Sequence, residues 1–376
     1  MPHAVFQSDY QSLSLNPSSE LEEIIEDNFK PIIAIVSIPH KKNKKSVIST
    51  DIVRFIEEGG ARVLPIHYKT PWKIVQTILN QINGVVFQGG GPKHWPQTEI
   101  PQHFNLQWEI FKYAIKANEN GTHFPILGVC LGFQRLLEFS ALWYTGQEDL
   151  RVEISDDVYN IRNTYFGVSK VDSQYHAANM NILLNTSVLF NSSLEMIERF
   201  AMNNSKKLFF LNNQFGMDEM ELNNNDLFNK SWKVAAKTQD YEGKWFVGAV
   251  EHVKYPFFGV QIHPEKIQFD SNDHMRKITE TNHISYIPCS AESILVNSRI
   301  AINFVLECKK NYNRFKDSKD YEPKLIDNYK TYIHSGGDIS SYYGIERGFK
   351  DFDEMHTALS QITSKTYFKM KKKVRQ

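Results

Sequence analysis

From Pro31 onward the chain alternates short, wholly apolar runs with stretches whose apolar residues recur at helical spacing. Pro31-Ile-Ile-Ala-Ile-Val-Ser37 is β-branched and has no polar alternation, the pattern of a strand buried on both faces of a parallel sheet. A Lys-rich loop follows. Thr50 to Glu58 then carries the period of an amphipathic helix, which Gly59 and Gly60 end because glycine takes the left-handed cap conformation at little cost. The unit recurs as strand Ala61–Ile66, helix Pro71–Gln81, strand Gly84–Phe87, helix Leu106–Asn118 and strand Pro125–Val129. Such alternation predicts βαβ units with right-handed crossovers: an α/β fold with a parallel-core sheet flanked by helices on both faces. Ligands gather at the carboxyl ends of strands in such sheets. Gly89-Gly90-Gly91 and Cys130 both fall at that edge.

Between Val152 and Glu251 the pattern loosens, with Leu208–Leu211 and Trp245–Val250 as shorter strands. This reads as an antiparallel and helical elaboration that returns to the sheet at Phe257–Ile262. Ala291 to Tyr312 has the period of a helix covering a sheet face, and Gly336-Gly337 reads as a turn. Asn223-Asn224-Asn225 reads as a loop insertion or compositional bias. The expected organisation is a polar leader at 1–28, one domain at 29–349 and a basic C-terminal extension at 350–376. Lys369, Lys371, Lys372, Lys373 and Arg375 in that extension read as a solvated tail.

Composition narrows the function classes. Among 376 residues, Lys plus Arg total 43 and Asp plus Glu total 43, so nothing in the charge points to a nucleic-acid or membrane-surface partner. The 3 cysteines, Cys130, Cys289 and Cys308, are too scattered for a disulfide framework, and none has metal-ligand spacing. No apolar run has the length of a membrane span. The N-terminus has neither the basic n-region nor the apolar h-region of a signal peptide, so the sequence either begins after processing or is not exported by that route.

The chemistry concentrates in Gly128-Val-Cys130-Leu-Gly132-Phe-Gln134. A buried strand ends, a reactive-type residue follows, and a helix starts at once, as in a nucleophile elbow. The flanking glycines suit a crowded backbone, and the helix N-terminus favours a thiolate. A small cysteine merely filling a strand end would need no such frame. Most of the 13 histidines sit in polar loops without pattern. His263 instead follows the strand Phe257–Ile262 and opens His263-Pro264-Glu265, so it is the candidate acid/base, with Glu265 to orient it. Acyl transfer also needs oxyanion donors, for which the backbone N–H of Leu131 and the loop Gly89, Gly90, Gly91 are the candidates. Neither GxGxxG nor a P-loop is present.

These residues resemble the class I glutamine amidotransferase superfamily and, within it, the γ-glutamyl hydrolases, which are folate polyglutamate hydrolases of cysteine-peptidase type. The closer likeness rests on Lys30-Pro-Ile-Ile, Gly60-Ala-Arg-Val-Leu-Pro65, Ile82–Phe87, Phe124–Phe133, and above all Lys254-Tyr-Pro-Phe-Phe-Gly-Val-Gln-Ile-His-Pro-Glu-Lys266. The resemblance implies a flavodoxin-like strand order and hydrolysis of γ-linked glutamate in folate or antifolate polyglutamates. Cys130 would be the nucleophile, His263 the acid/base and Glu265 its supporting carboxylate. It implies a small-molecule γ-glutamyl substrate, no metal or organic cofactor, a homodimer, and a lysosomal, vacuolar or secreted setting. Three departures from the family pattern concern substrate binding: Asn213 in place of a second histidine, Ser46 and Val47 in place of tyrosines, and Gln134 in place of Glu. Two other readings stand beside the hydrolase. One is a glutaminase or other γ-glutamyl amide hydrolase, which Gln134 favours. The other is a catalytically impaired relative serving as a structural or assembly subunit.

Overall fold

A computed structural model describes residues 29–40, 46–146, 168–203, 206–270, 277–278, 284–333 and 341–345. The polar leader, the Gly336-Gly337 turn and the basic extension lie outside them. In chain order the elements are β1 (Ile32–Val36), β2 (Ile38–Pro39), β3 (Ser46–Ser49), α1 (Thr50–Glu58), β4 (Arg62–Ile66), α2 (Trp72–Leu79) and β5 (Gly84–Phe87). Next come α3 (Ile100–Glu119), β6 (Ile126–Val129) and α4 (Leu131–Thr145). The elaboration holds β7 (Val168–Ala178), β8 (Met180–Ile182), α5 (Leu194–Asn203), β9 (Phe209–Met217), α6 (Glu219–Asn223), α7 (Asp226–Ser231), β10 (Trp232–Gln239) and β11 (Trp245–His252). The chain then forms β12 (Phe257–Val260), α8 (Lys266–Phe269), β13 (Lys277–Ile278), β14 (Ile284–Ser285), α9 (Ala291–Lys309), β15 (Thr331–Ile333) and β16 (Ser341–Ile345).

The main sheet runs β4-β1-β5-β6-β12-β11-β10-β8. Its first five strands are parallel and the last three antiparallel. Numbered by chain order, the parallel five stand as 2-1-3-4-5, the expected flavodoxin-like order. Because strand side chains alternate, β1 sends Ile33 and Ile35 to one face and Ile32, Ala34 and Val36 to the other. The first face is covered by Ile52, Phe55 and Ile56 of α1 with Ile300 and Phe304 of α9, and the second by α2, α3 and α4. Both faces are therefore dry, which is why the strands read as continuous apolar runs rather than alternating ones.

The structure departs from the pattern reading in three places. Ser46–Ser49, placed in a Lys-rich loop, is a buried strand in a second sheet of order β15-β16-β3-β2. Its partner β16 lies at the far end of the chain, so no local period announces it. Helix α3 starts at Ile100 rather than Leu106, since Pro101 stands in the first turn, where its missing N–H removes no helical bond. Asn225, set aside as part of a loop insertion, caps α7: its side chain accepts from the N–H groups of Leu227 and Phe228.

Candidate active site

Strands β5, β6 and β12 are immediate neighbours, so the segments that follow them emerge side by side at one sheet edge. Those segments are the glycine loop, Cys130 and the turn carrying His263. Cys130 sits at φ 52 and ψ −103, a conformation rare for a residue with a side chain, while its N–H donates to the Val260 carbonyl at 2.8 Å. The elbow is built by close approach. A Cβ at Gly132 would lie 1.9 Å from the Phe87 carbonyl oxygen, and one at Gly128 would lie 2.5 Å from the Gly132 backbone. Both flanking glycines are thus required by space, and the strain falls on the cysteine they frame.

The first turn of α4 begins at Leu131, leaving N–H groups without intrahelical acceptors beside Cys130. Gly89 lies against both members of the candidate dyad: its hypothetical Cβ would be 3.0 Å from His263 Cε1 and 3.4 Å from Cys130 Cβ. A Cβ at Gly90 would meet Trp95 at 2.7 Å and Leu131 at 3.4 Å, while Gly91 opens the short 3-10 turn Pro92–His94. The triple glycine is therefore packed close to the thiol-bearing turn, and at none of the three is φ positive.

His263 donates from Nδ1 to Glu265 Oε1 at 2.7 Å, and its backbone N–H donates to the Phe210 carbonyl of β9 at 2.8 Å. Burial disfavours the imidazolium. The Glu265 carboxylate and Cys130 outweigh it, through charge and hydrogen bonding, and raise His263 to about 10. Glu265 moves the other way: burial raises it, but His263 and then Lys266 hold it below the ordinary carboxylate value. Among the described residues, no group of His, Cys, Asp and Glu side chains is placed to hold a metal ion.

The pattern reading missed two supports of this site. Gln88, just before the glycine loop, donates from Nε2 to the carbonyls of Val36 at 2.9 Å and Val47 at 3.2 Å, and accepts from the Ser49 N–H at 3.2 Å. It ties the main sheet to the second one at the base of the loop. Lys266, the residue after Glu265, is buried, with Nζ 2.7 Å from Asp51 Oδ2 and 3.3 Å from Asp270 Oδ2. Neither has a sequence signal, because a buried lysine or glutamine is explained only by partners remote along the chain.

A cysteine elbow and a carboxylate-held histidine, on adjacent parallel strand ends, form an arrangement for attack on an acyl carbon. A profile of the glutamine amidotransferase class-I family matches residues 42–279. The chain belongs to that family. Curated relatives extend the likeness over most of the chain. Gamma-glutamyl hydrolase 2 of Arabidopsis thaliana is 28% identical over 324 residues, covering 82% of this chain and 81% of that protein. Gamma-glutamyl hydrolase B of Dictyostelium discoideum is 26% identical, covering 86% of each. Gamma-glutamyl hydrolase of Homo sapiens is also 26% identical, covering 83% and 88%. Within the class-I amidotransferase family, the likeness is to γ-glutamyl hydrolases.

The positions that the residue pattern marks as substrate-binding departures are placed as follows. Gln134, in the first turns of α4, is buried and donates from Nε2 to Gln261 Oε1 at 3.2 Å, which links the cysteine helix to the approach of the histidine turn. Asn213 lies on β9 opposite Ser173, its Nδ2 donating to the Phe215 carbonyl at 2.9 Å and its Oδ1 buried with no partner among the described residues. Ser46 and Val47 belong to β3, where the register sets them opposite Ile345 and Gly344, and Tyr342 and Tyr343 of β16 fall opposite Ser49 and Ile48. Aromatic side chains thus reach the second sheet from its C-terminal strands instead of from the segment before α1.

Proposed function

We propose that this class-I amidotransferase relative is a cysteine-dependent hydrolase of γ-glutamyl bonds, with folate poly-γ-glutamates as its substrate class. Hydrolysis of γ-glutamyl bonds is the part carried by the curated relatives. One observation carries the mechanism: Gly89 abuts Cys130 and His263 at once, while Glu265 holds Nδ1 of the same imidazole.

In this reading the Cys130 thiol gives its proton to His263, and Sγ attacks the γ-carbonyl carbon. The oxyanion takes hydrogen bonds from the Leu131 N–H and from the glycine loop. Collapse breaks the C–N bond, and the imidazolium passes its proton to the leaving amine nitrogen. A γ-glutamyl thioester remains on Cys130. Water, deprotonated by His263, attacks the thioester carbonyl, and the thiol is released as the free γ-carboxylate departs. Glu265 stabilises the imidazolium at each stage without itself accepting the proton.

The test incubates the protein and its Cys130→Ala variant with a pteroyl poly-γ-glutamate and, separately, with glutamine. Glutamate or shortened chains released from the pteroyl compound by the parent protein, and absent with the variant, is the expected result. Ammonia from glutamine alone would replace this reading with a glutaminase. Turnover of neither compound, with Cys130 inert to iodoacetamide, would leave the chain as an inactive relative.

A further inference from the structure

The residue after Glu265, Lys266, is a buried cation that no acyl-transfer step uses. Lys266 is only 6% exposed, and a lysine this buried must be compensated to stay charged. It is clamped by Asp51 from α1 and Asp270 from the end of its own helix, both with fully buried side chains. Asp51 stands in the first turn of α1, whose capping residue Ser49 donates its N–H to Gln88. A polar path therefore runs from the base of the glycine loop through Gln88, Ser49 and Asp51 to Lys266, the neighbour in sequence of Glu265, which holds His263 beside Cys130. It closes on itself, because Gly89 abuts the last two. Glu265 Oε2 is buried and has no hydrogen-bond partner among the described residues.

We propose that Lys266, held between Asp51 and Asp270, is a positioning residue that keeps Glu265 ionised and thereby sets the lower pH limit of the Cys130–His263 pair. The inference rests on the cysteine-hydrolase reading above. Protonating Glu265 would remove the charge that compensates the His263 imidazolium, and the Lys266 ammonium makes that protonation harder. Among the described residues, the titratable groups facing this cluster include Asp51 from α1, Cys130 from the elbow, His263 on the flanking turn and Asp270 at the end of α8. Glu58, at the other end of α1, is tied in through Ser298 and Gln268. From β9 the contact is the Phe210 carbonyl and ring, which do not titrate.

The experiment measures iodoacetamide alkylation of the Cys130 peptide by mass spectrometry from pH 4 to 9, alongside kcat/KM on the pteroyl poly-γ-glutamate. In Lys266→Met the acid limb of both profiles moves up by about one pH unit, since Glu265 takes its proton earlier. Lys266→Arg keeps the cation and tracks the parent protein. Asp51→Asn removes an anion that competes for Lys266, so its limb does not move up. A merely structural lysine would lower activity at every pH and leave the limb in place, and that outcome in Lys266→Met overturns the proposal. An upward shift in Asp51→Asn does the same. If Lys266→Met does not fold, the double variant Lys266→Met/Asp51→Asn removes cation and partner together, and an unmoved limb there is equally fatal. A parent protein whose Cys130 shows no pH-dependent alkylation takes down the cysteine reading itself, and the role of Lys266 with it.

Discussion

Replacing Gly89 by alanine adds one methyl group where the loop lies against both the Cys130 side chain and the His263 ring. That carbon would stand 3.0 Å from His263 Cε1, 3.4 Å from Cys130 Cβ and 3.7 Å from His263 Nδ1. Carbon atoms rest comfortably at about 3.5–4.0 Å, so ring or loop must give way by roughly half an ångström or more. The ring cannot recede freely, because Nδ1 is bound to Glu265 at 2.7 Å and the His263 N–H to Phe210 at 2.8 Å. Overpacking of this kind costs about 1–3 kcal/mol of stability. A displacement of about 1 Å at a reacting group costs on the order of a hundredfold in rate, so half that predicts roughly a tenfold loss in kcat/KM, about 1.4 kcal/mol. The assay pairs kcat/KM on a γ-glutamyl substrate with urea unfolding. Gly60→Ala is the control: Gly60 has φ +95 and an open site for a Cβ. It should lose about 1–2 kcal/mol of stability from backbone conformation alone and keep its kcat/KM. Parent-like kcat/KM in Gly89→Ala, or an equal loss in the Gly60→Ala control, would show that the loop is not seated on the dyad.

The remaining predictions concern stability. His252 accepts at Nδ1 from the N–H groups of Lys254 and Tyr255, at 3.0 and 3.1 Å, and burial, followed by the Lys254 charge, lowers it to about 3. The unfolded chain binds that proton below about 6.5 and the folded protein does not, so the contribution is complete above that pH and is lost as pH falls toward 3, at ~1.4 kcal/mol per pH unit. His252→Asn keeps an acceptor and removes the titration, so urea unfolding between pH 4 and 7 should show a shallower loss of stability; an unchanged slope would rule His252 out as its source. Asn225→Ala deletes the cap of α7 and should cost about 1 kcal/mol in the same measurement, whereas a neutral result would mean that water serves the Leu227 and Phe228 N–H groups equally well.

What the residue pattern disclosed, and what it hid, divides along one physical line. Strands β1, β4, β5, β6 and β12 are buried on both faces, and the helices between them carry one apolar stripe, so local periodicity is enough to find them. The elbow was legible for a related reason: its two glycines answer to atoms a few residues away or on the neighbouring strand end. By contrast, β3 is held between the two-residue β2 and a strand from the far end of the chain, and a four-residue segment with serine at both ends carries no period of its own. The ion pair of Lys266 with Asp51 spans 215 positions, and Gln88 is explained only by carbonyls on two other strands. The Asn225 cap was within reach: an Asn immediately before an apolar helical run is a recognised start signal, hidden here among other asparagines.

The same division separates reactivity from selectivity. The glycine loop, Cys130 and His263 are carried by the ends of three adjacent strands, whose register is locked by both hydrophobic faces of the main sheet. Shifting one of these residues relative to the others would require sliding a strand, which reverses every side chain on it. Ser46, Val47 and Asn213 stand elsewhere, on β3 of the second sheet and on β9, which pairs with β7. Substitutions there exchange side chains without moving the strand ends of the main sheet. Gln134 is the exception, being on the cysteine helix, but its amide is turned to Gln261 within the scaffold. Side chains at Asn213, Ser46 and Val47 can therefore change while the elbow, the imidazole and the carboxylate stay in register. Changes at those positions should then alter which γ-glutamyl compound is accepted before they alter whether the thiol reacts.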